Sequence, residues 1–272
     1  GAGAARDASR RACVARALCG AAAVVEGGRG RRGWDGGVMP WEIVACTGRK
    51  YRAGDVVVAG AGNIDHATLV SLVEELLTLT PAERSDRGER PSVVTPRLEV
   101  VRKDTEQAHI CWGTAGLPSA HPDRFVLSVL DTVLGGGMSS RLFQEIREKR
   151  GLAYAVFSYH QQYLDAGGFT VYAGTRPENT EQVVRLIQDE VAKMLEGGVT
   201  PDELYRAKES IKGQLVLSME STSNRMTRLG KSEVTHGEIL SLDELVAKVE
   251  AVTSEDVSRV AADTIGGTRV LA

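Results

Sequence analysis

Apolar positions along this chain change period several times, and each change marks an element. Val56, Val57 and Val58 make a β-branched run ended by Gly60 and Gly62, which predicts a buried strand and a turn. Leu69, Leu72, Val73, Leu76 and Leu77 then recur at helical spacing, with Asn63 and Asp65 as turn and cap residues. His66 stands alone at that helix start, where it is expected to face solvent. Residues 79–96 are polar and hold three prolines, the signature of an exposed linker.

Beyond the linker, "PRLEVVRKD" and "EQAHICWGTAG" read as strands, the second alternating around His109, Cys111 and Gly113. Phe125, Val126, Val129, Leu130 and Val133 form one helical stripe after Pro122, and Gly135, Gly136 and Gly137 end that helix. A second helix is predicted from Ser139 to Lys149, stopping at Gly151 in a left-handed cap. "LAYAVFSYHQQYL" and "GFTVYAGT" flank the turn residues Asp165 to Gly168, a hairpin signal. Pro177 opens a helix carrying Val183, Ile187 and Val191 and closed by Gly197 and Gly198. Thr200 with Glu203 opens one long helix, Ser241 with Glu244 opens another, and Thr253 caps the last. "TRVLA" then reads as a strand begun and not finished.

These elements predict an α+β fold, an antiparallel sheet with helices packed on one face. The expected divisions are an atypical stretch at 1–37, part of a first α+β domain at 38–78, a linker at 79–96 and a second α+β domain at 97–272. Strand-like "YRAGDVVVAG" and terminal "GGTRVLA" hint at two equivalent modules. Residues 1–37 hold 10 Ala, 9 Gly and 7 Arg, too few large apolar side chains to offset the entropy of ordering them. They read as disordered or as out-of-frame translation, with a targeting peptide as the alternative.

With 33 basic and 36 acidic residues and a formal net charge of −3, nothing in the charge points to nucleic acid. No apolar run is long enough to span a bilayer. Cys13, Cys19, Cys46 and Cys111 are widely spaced, which predicts reduced thiols and a cytosol-like compartment. No two of His66, His109, His121, His160 and His236 have the spacing of a helical metal pair, so no metal site is expected in this chain. The triple glycine follows a helix rather than a strand, unlike a phosphate cradle. Ser139 and Ser140 have no histidine near them in sequence. Arg147 and Tyr154 remain, seven apart across the helix end. A guanidinium and a phenol facing one cleft could hold a peptide carbonyl. The plainer reading of each is a helix-dipole arginine and a packed strand tyrosine.

"LGGGMSSRLFQEIREKRGLAYAVFSYH", with "TEQAHICWGTAGL" before it and "STSNRMTRLGK" after it, resembles the insulinase/pitrilysin metallopeptidases. Within them it is most similar to bacterial zinc proteases related to the mitochondrial processing peptidase β subunit. "YRAGDVVVAGAGNIDH" resembles the end of that family's first domain, so the likeness covers residues 43–272. It implies two homologous α+β domains clasping a peptide. Zinc would be bound in the first by an inverted H-x-x-E-H helix and a distal Glu, and the second would supply an Arg and a Tyr seven apart. Arg147 and Tyr154 match that pair, and Gly135, Gly136 and Gly137 would form a loop of the cleft. The zinc motif is absent from this sequence. The resemblance therefore implies a truncated member, inactive alone, that contacts a peptide substrate. The alternatives are a non-catalytic subunit paired with a zinc-bearing homologous chain, and a structural subunit like the core proteins of a respiratory complex. A bacterial cytoplasm is the expected compartment, with the mitochondrial matrix as alternative.

Overall fold

A computed structural model describes residues 41, 44–45, 51–83, 94–102 and 105–272. The expectations for residues 1–37 and for most of the linker lie outside them. The chain divides into two units, 1–88 and 89–272.

In the first unit a short 3₁₀ turn, Ala53–Asp55, precedes helix α1, His66–Leu76. Asp65 caps α1 by accepting from the Thr68 amide, as its position in the sequence implies. His66 is exposed. The strand expected at Val56–Val58 does not form. Among the described residues that run pairs with no other strand, and Val57 and Val58 are 44% and 46% exposed. A β-branched run becomes a strand only beside a partner that takes its amides. The amides of Val57 and Val58 should therefore exchange within seconds at neutral pH, while Val171 in the sheet described next stays protected for hours; protection of Val57 would contradict this assignment.

The second unit is built on a five-stranded sheet of β1 (Arg97–Leu98), β2 (Ala108–Gly116), β3 (Ala153–Gln162), β4 (Gly167–Thr175) and β5 (Arg269–Leu271). Their order is β1-β5-β2-β4-β3. β3 and β4 form a hairpin whose β4 lies antiparallel beside β2, and β5 lies antiparallel to β2 on its other side. The sheet is mixed rather than wholly antiparallel, because β1 and β5 run parallel. "TRVLA" is therefore not a loose end. Its strand sits inside the sheet, and Ala272 exchanges both backbone hydrogen bonds with Cys111, at 2.7 and 2.9 Å.

Strand periodicity decides which face is buried. Ile110 and Trp112 on β2, Val156 on β3, and Phe169, Val171 and Ala173 on β4 point into the core. Helices α2 (Arg124–Leu134), α3 (Thr180–Gly197) and α7 (Ser254–Asp263) bring Leu127, Leu130, Ile187, Met194 and Val260 to the same core. Burying each such side chain contributes roughly 1.5–3 kcal/mol. The stripe read from α2 is the one it buries, with Phe125 only partly covered. The long helix expected after Thr200 is two, α4 (Pro201–Ser218) and α5 (Thr222–His236). Ser221 breaks it by accepting from the Asn224 amide, which ends one helix and caps the next. α6 (Leu242–Glu250) and α7 carry the capping boxes of Ser241 with Glu244 and of Thr253 with Asp256.

Candidate functional site

Two local irregularities bring Arg147 and Tyr154 together. The first is in the helix after the triple glycine. It starts in α geometry at Arg141 and widens to a π-helical segment over Phe143–Glu148. Gly151, at φ 62°, stops it through its amide to the Arg147 carbonyl. The second is in β3, where the register against β4 slips between Ala153 and Ala155. Tyr154 is the extra residue of this bulge, so its ring turns outward and is 79% exposed. Its carbonyl accepts instead from Arg147 Nη1, at 2.9 Å. The Arg147 guanidinium lies between two rings, 4.8 Å from the centroid of Phe143 and 4.8 Å from that of Tyr154. Each stacking contributes about 0.5–1 kcal/mol at such an exposed site.

The charges around Arg147 single it out. Lys149 and Arg150 both bind Glu145, and together they draw its carboxyl down to about 2. Arg141 donates from Nε and Nη2 to Glu203, at 2.7 and 2.8 Å, and also to the Gly198 carbonyl at 2.7 Å. This clasp ties the helix start to α4 and holds the Glu203 carboxyl at about 2. Among the described residues Arg147 has no carboxylate partner, and one of its five N–H groups is engaged.

The glycine loop divides in two. A Cβ on Gly135 would stand 2.3 Å from the Ser158 amide nitrogen, and one on Gly136 would stand 2.7 Å from Thr132 Cα. These two glycines allow close packing. Around Gly137 there is open space. Gly135 also accepts from the Ser158 amide at 3.2 Å, which lashes the loop to the outer edge of β3. Ser140 is buried and donates its hydroxyl to the Gly137 carbonyl, which holds the loop rather than presenting a nucleophile.

Sequence reasoning missed Phe143, although its four-residue spacing from Arg147 on a helix was a usable signal. It also missed the sheet face opposite the helices. There His109 Nδ1 and the Tyr172 hydroxyl lie 2.8 Å apart, and Phe157 packs 5.1 Å from Tyr172.

A family model described as the peptidase M16 inactive domain matches residues 45–211. An uncharacterized zinc protease of Streptomyces coelicolor is 42% identical over 226 residues, 80% of this chain and 49% of that protein. An uncharacterized zinc protease of Bacillus subtilis is 42% identical over 212 residues, 78% of this chain and 51% of that protein. This chain thus spans about half the length of the curated relatives it matches. The crystal structure of a peptidase M16 inactive domain from Pseudomonas fluorescens shares the fold, with a TM-score of 0.78 at 24% identity, covering 86% of this chain and 56% of that one. The relatives' names imply zinc. His109, His121 and His160 lie against Tyr172, Asp123 and Asp131, each in a different place. Among the described residues no three His, Cys, Asp or Glu side chains converge as a zinc site requires. They do not fit the metal.

Proposed function

Because the chain belongs to the peptidase M16 family, we propose that it is the peptide-contacting, non-metal part of a zinc endopeptidase of the processing-peptidase kind. Acting alone it binds extended polypeptide without cutting it. Arg147 carries the reading: a guanidinium held between Phe143 and Tyr154, with no carboxylate partner among the described residues. Its remaining N–H groups suit a peptide carbonyl, the one acceptor every substrate offers at each residue. The exposed Tyr154 ring adds an apolar wall and a hydroxyl. The metal and the water-activating group belong to another polypeptide segment or to a homologous zinc-bearing chain, acting in a bacterial cytoplasm.

The test is binding of fluorescein-labelled β-casein, an unfolded polypeptide, by fluorescence anisotropy. The chain should bind it and leave it intact on a gel. Arg147→Ala should raise the Kd about tenfold, equivalent to roughly 1.4 kcal/mol. Failure of the unaltered chain to bind, or equal binding by Arg147→Ala, would remove the proposal.

A further inference from the structure

Asp131 lies in the last turn of α2, away from Arg147 in sequence, yet its groups converge on the strand that carries Tyr154. Its Oδ1 accepts from the Ser158 hydroxyl and its Oδ2 lies 3.1 Å from His160 Nδ1. A carboxylate only accepts, so His160 carries its proton on Nδ1. The Asp131 carbonyl accepts from the amides of Gly135 and Gly136, both at 2.9 Å, and from Ser158 Oγ at 3.2 Å. One residue thus fixes the glycine loop on one side and two β3 side chains on the other. Ser158 is buried, and Asp131 and His160 are only 15% and 21% exposed, so water competes poorly for these bonds.

We propose that Asp131 is a positioning residue for Arg147, acting through the glycine loop. The links are continuous. Ser140 donates to Gly137, the Gln144 amide bonds the Ser140 carbonyl at 3.0 Å, and the Gln144 side chain bonds the Met138 carbonyl at 2.7 Å. Arg147 follows within a turn and reaches Tyr154, four residues before Ser158 on the same strand. Loop and π-helical segment therefore meet β3 at two points. Asp131 sets the first, and the first constrains where the guanidinium meets the second. The geometry does not make this cluster a hydrolytic triad. Asp131 sits between the serine and the histidine, so the His160 imidazole does not reach the Ser158 hydroxyl as a triad's base must. The functional value of the device rests on Arg147 being the peptide contact.

Two readouts on the same variants test it. The first is the upfield ring-current shift of the Arg147 δ-methylene protons, which reports the stack between Phe143 and Tyr154. The second is β-casein affinity. Asp131→Ala should abolish most of the shift and weaken binding about fivefold, a change of roughly 1 kcal/mol. Asp131→Asn keeps an acceptor for Ser158 and places a donor opposite His160, which changes tautomer. It should restore both readouts, which mere loss of stability would not predict. If Asp131→Ala fails to fold, Ser158→Ala decides by the same two measurements. A folded Asp131→Ala chain with an unchanged Arg147 shift overturns the proposal. If that shift moves while Arg147→Ala leaves β-casein binding unaltered, positioning stands and the peptide-binding reading falls.

Discussion

Replacing Gly135 by Ala should be among the most damaging single-methyl additions in this chain. The new Cβ would lie 2.3 Å from the Ser158 nitrogen, 2.6 Å from its Oγ and 2.8 Å from its Cβ. Two of these atoms belong to a strand in the sheet or to the base of its side chain, so neither can swing aside. Relief requires the loop to lift off β3, which breaks the Gly135 carbonyl bond to the Ser158 amide and disturbs the Asp131 contacts. Overpacking of this kind costs about 3 kcal/mol, and in a unit of this size should lower Tm by roughly 6–12 °C. Gly137→Ala is the matched control. It meets open space and has no positive φ, so its Tm should stay within about 2 °C of the parent. Similar effects from both substitutions would refute the close-approach argument. Gly135 has φ −151° and ψ 6°, outside the left-handed region, so the close contact is what excludes the side chain.

Glu203 supplies the second large effect. Its carboxylate completes the α4 capping box through the Thr200 amide and hydroxyl, at 2.9 and 3.0 Å, and binds Arg141 through both oxygens. Removing it by Glu203→Ala leaves a mostly buried guanidinium without its charge partner, 15% exposed, and an opened cap. The expected loss is about 2–3 kcal/mol, read as a lower urea midpoint at unchanged slope. The acid dependence has a definite sign. The folded carboxyl titrates at about 2 against an ordinary 4.5, with the Arg141 hydrogen bonds as the leading cause. The stabilisation is therefore complete above about pH 4.5 and is lost as pH falls toward 2. Glu203→Gln should flatten the fall of Tm in that window. A variant that still tracked the parent slope would show that other carboxylates govern it.

Much of the second unit was legible from local chemistry. The hairpin of β3 and β4, the stripe of α2 and the caps at Thr200, Ser241 and Thr253 all follow from spacing and from residues that satisfy helix-end amides. Val56–Val58 was misread for a reason that local chemistry does not contain. Whether a β-branched run becomes a strand depends on a neighbour distant in sequence. The site was half legible. The seven-residue interval between Arg147 and Tyr154 was visible, and the structure stacks them. What makes them meet, a π-helical winding and a one-residue bulge, has no strong sequence signature. Ser158, Asp131 and His160 were invisible because their meeting depends on the register of α2 against β3.

The lashing of the glycine loop to β3 also changes what that edge of the sheet offers. β3 is the last strand on its side of the sheet, where unpaired amides and carbonyls would ordinarily recruit another strand. Here the Ser158 amide is occupied by Gly135 and the Tyr154 carbonyl by Arg147, leaving Val156 between them with outward backbone groups, and those of His160 and Gln162 further along the strand. The stretch from Tyr154 to Ser158 is thus interrupted as a docking edge. If Arg147 and Tyr154 make the peptide contact proposed above, that contact would be a grip at a point rather than a strand added along this stretch. The same interruption blunts this part of the border as a seed for fibrils.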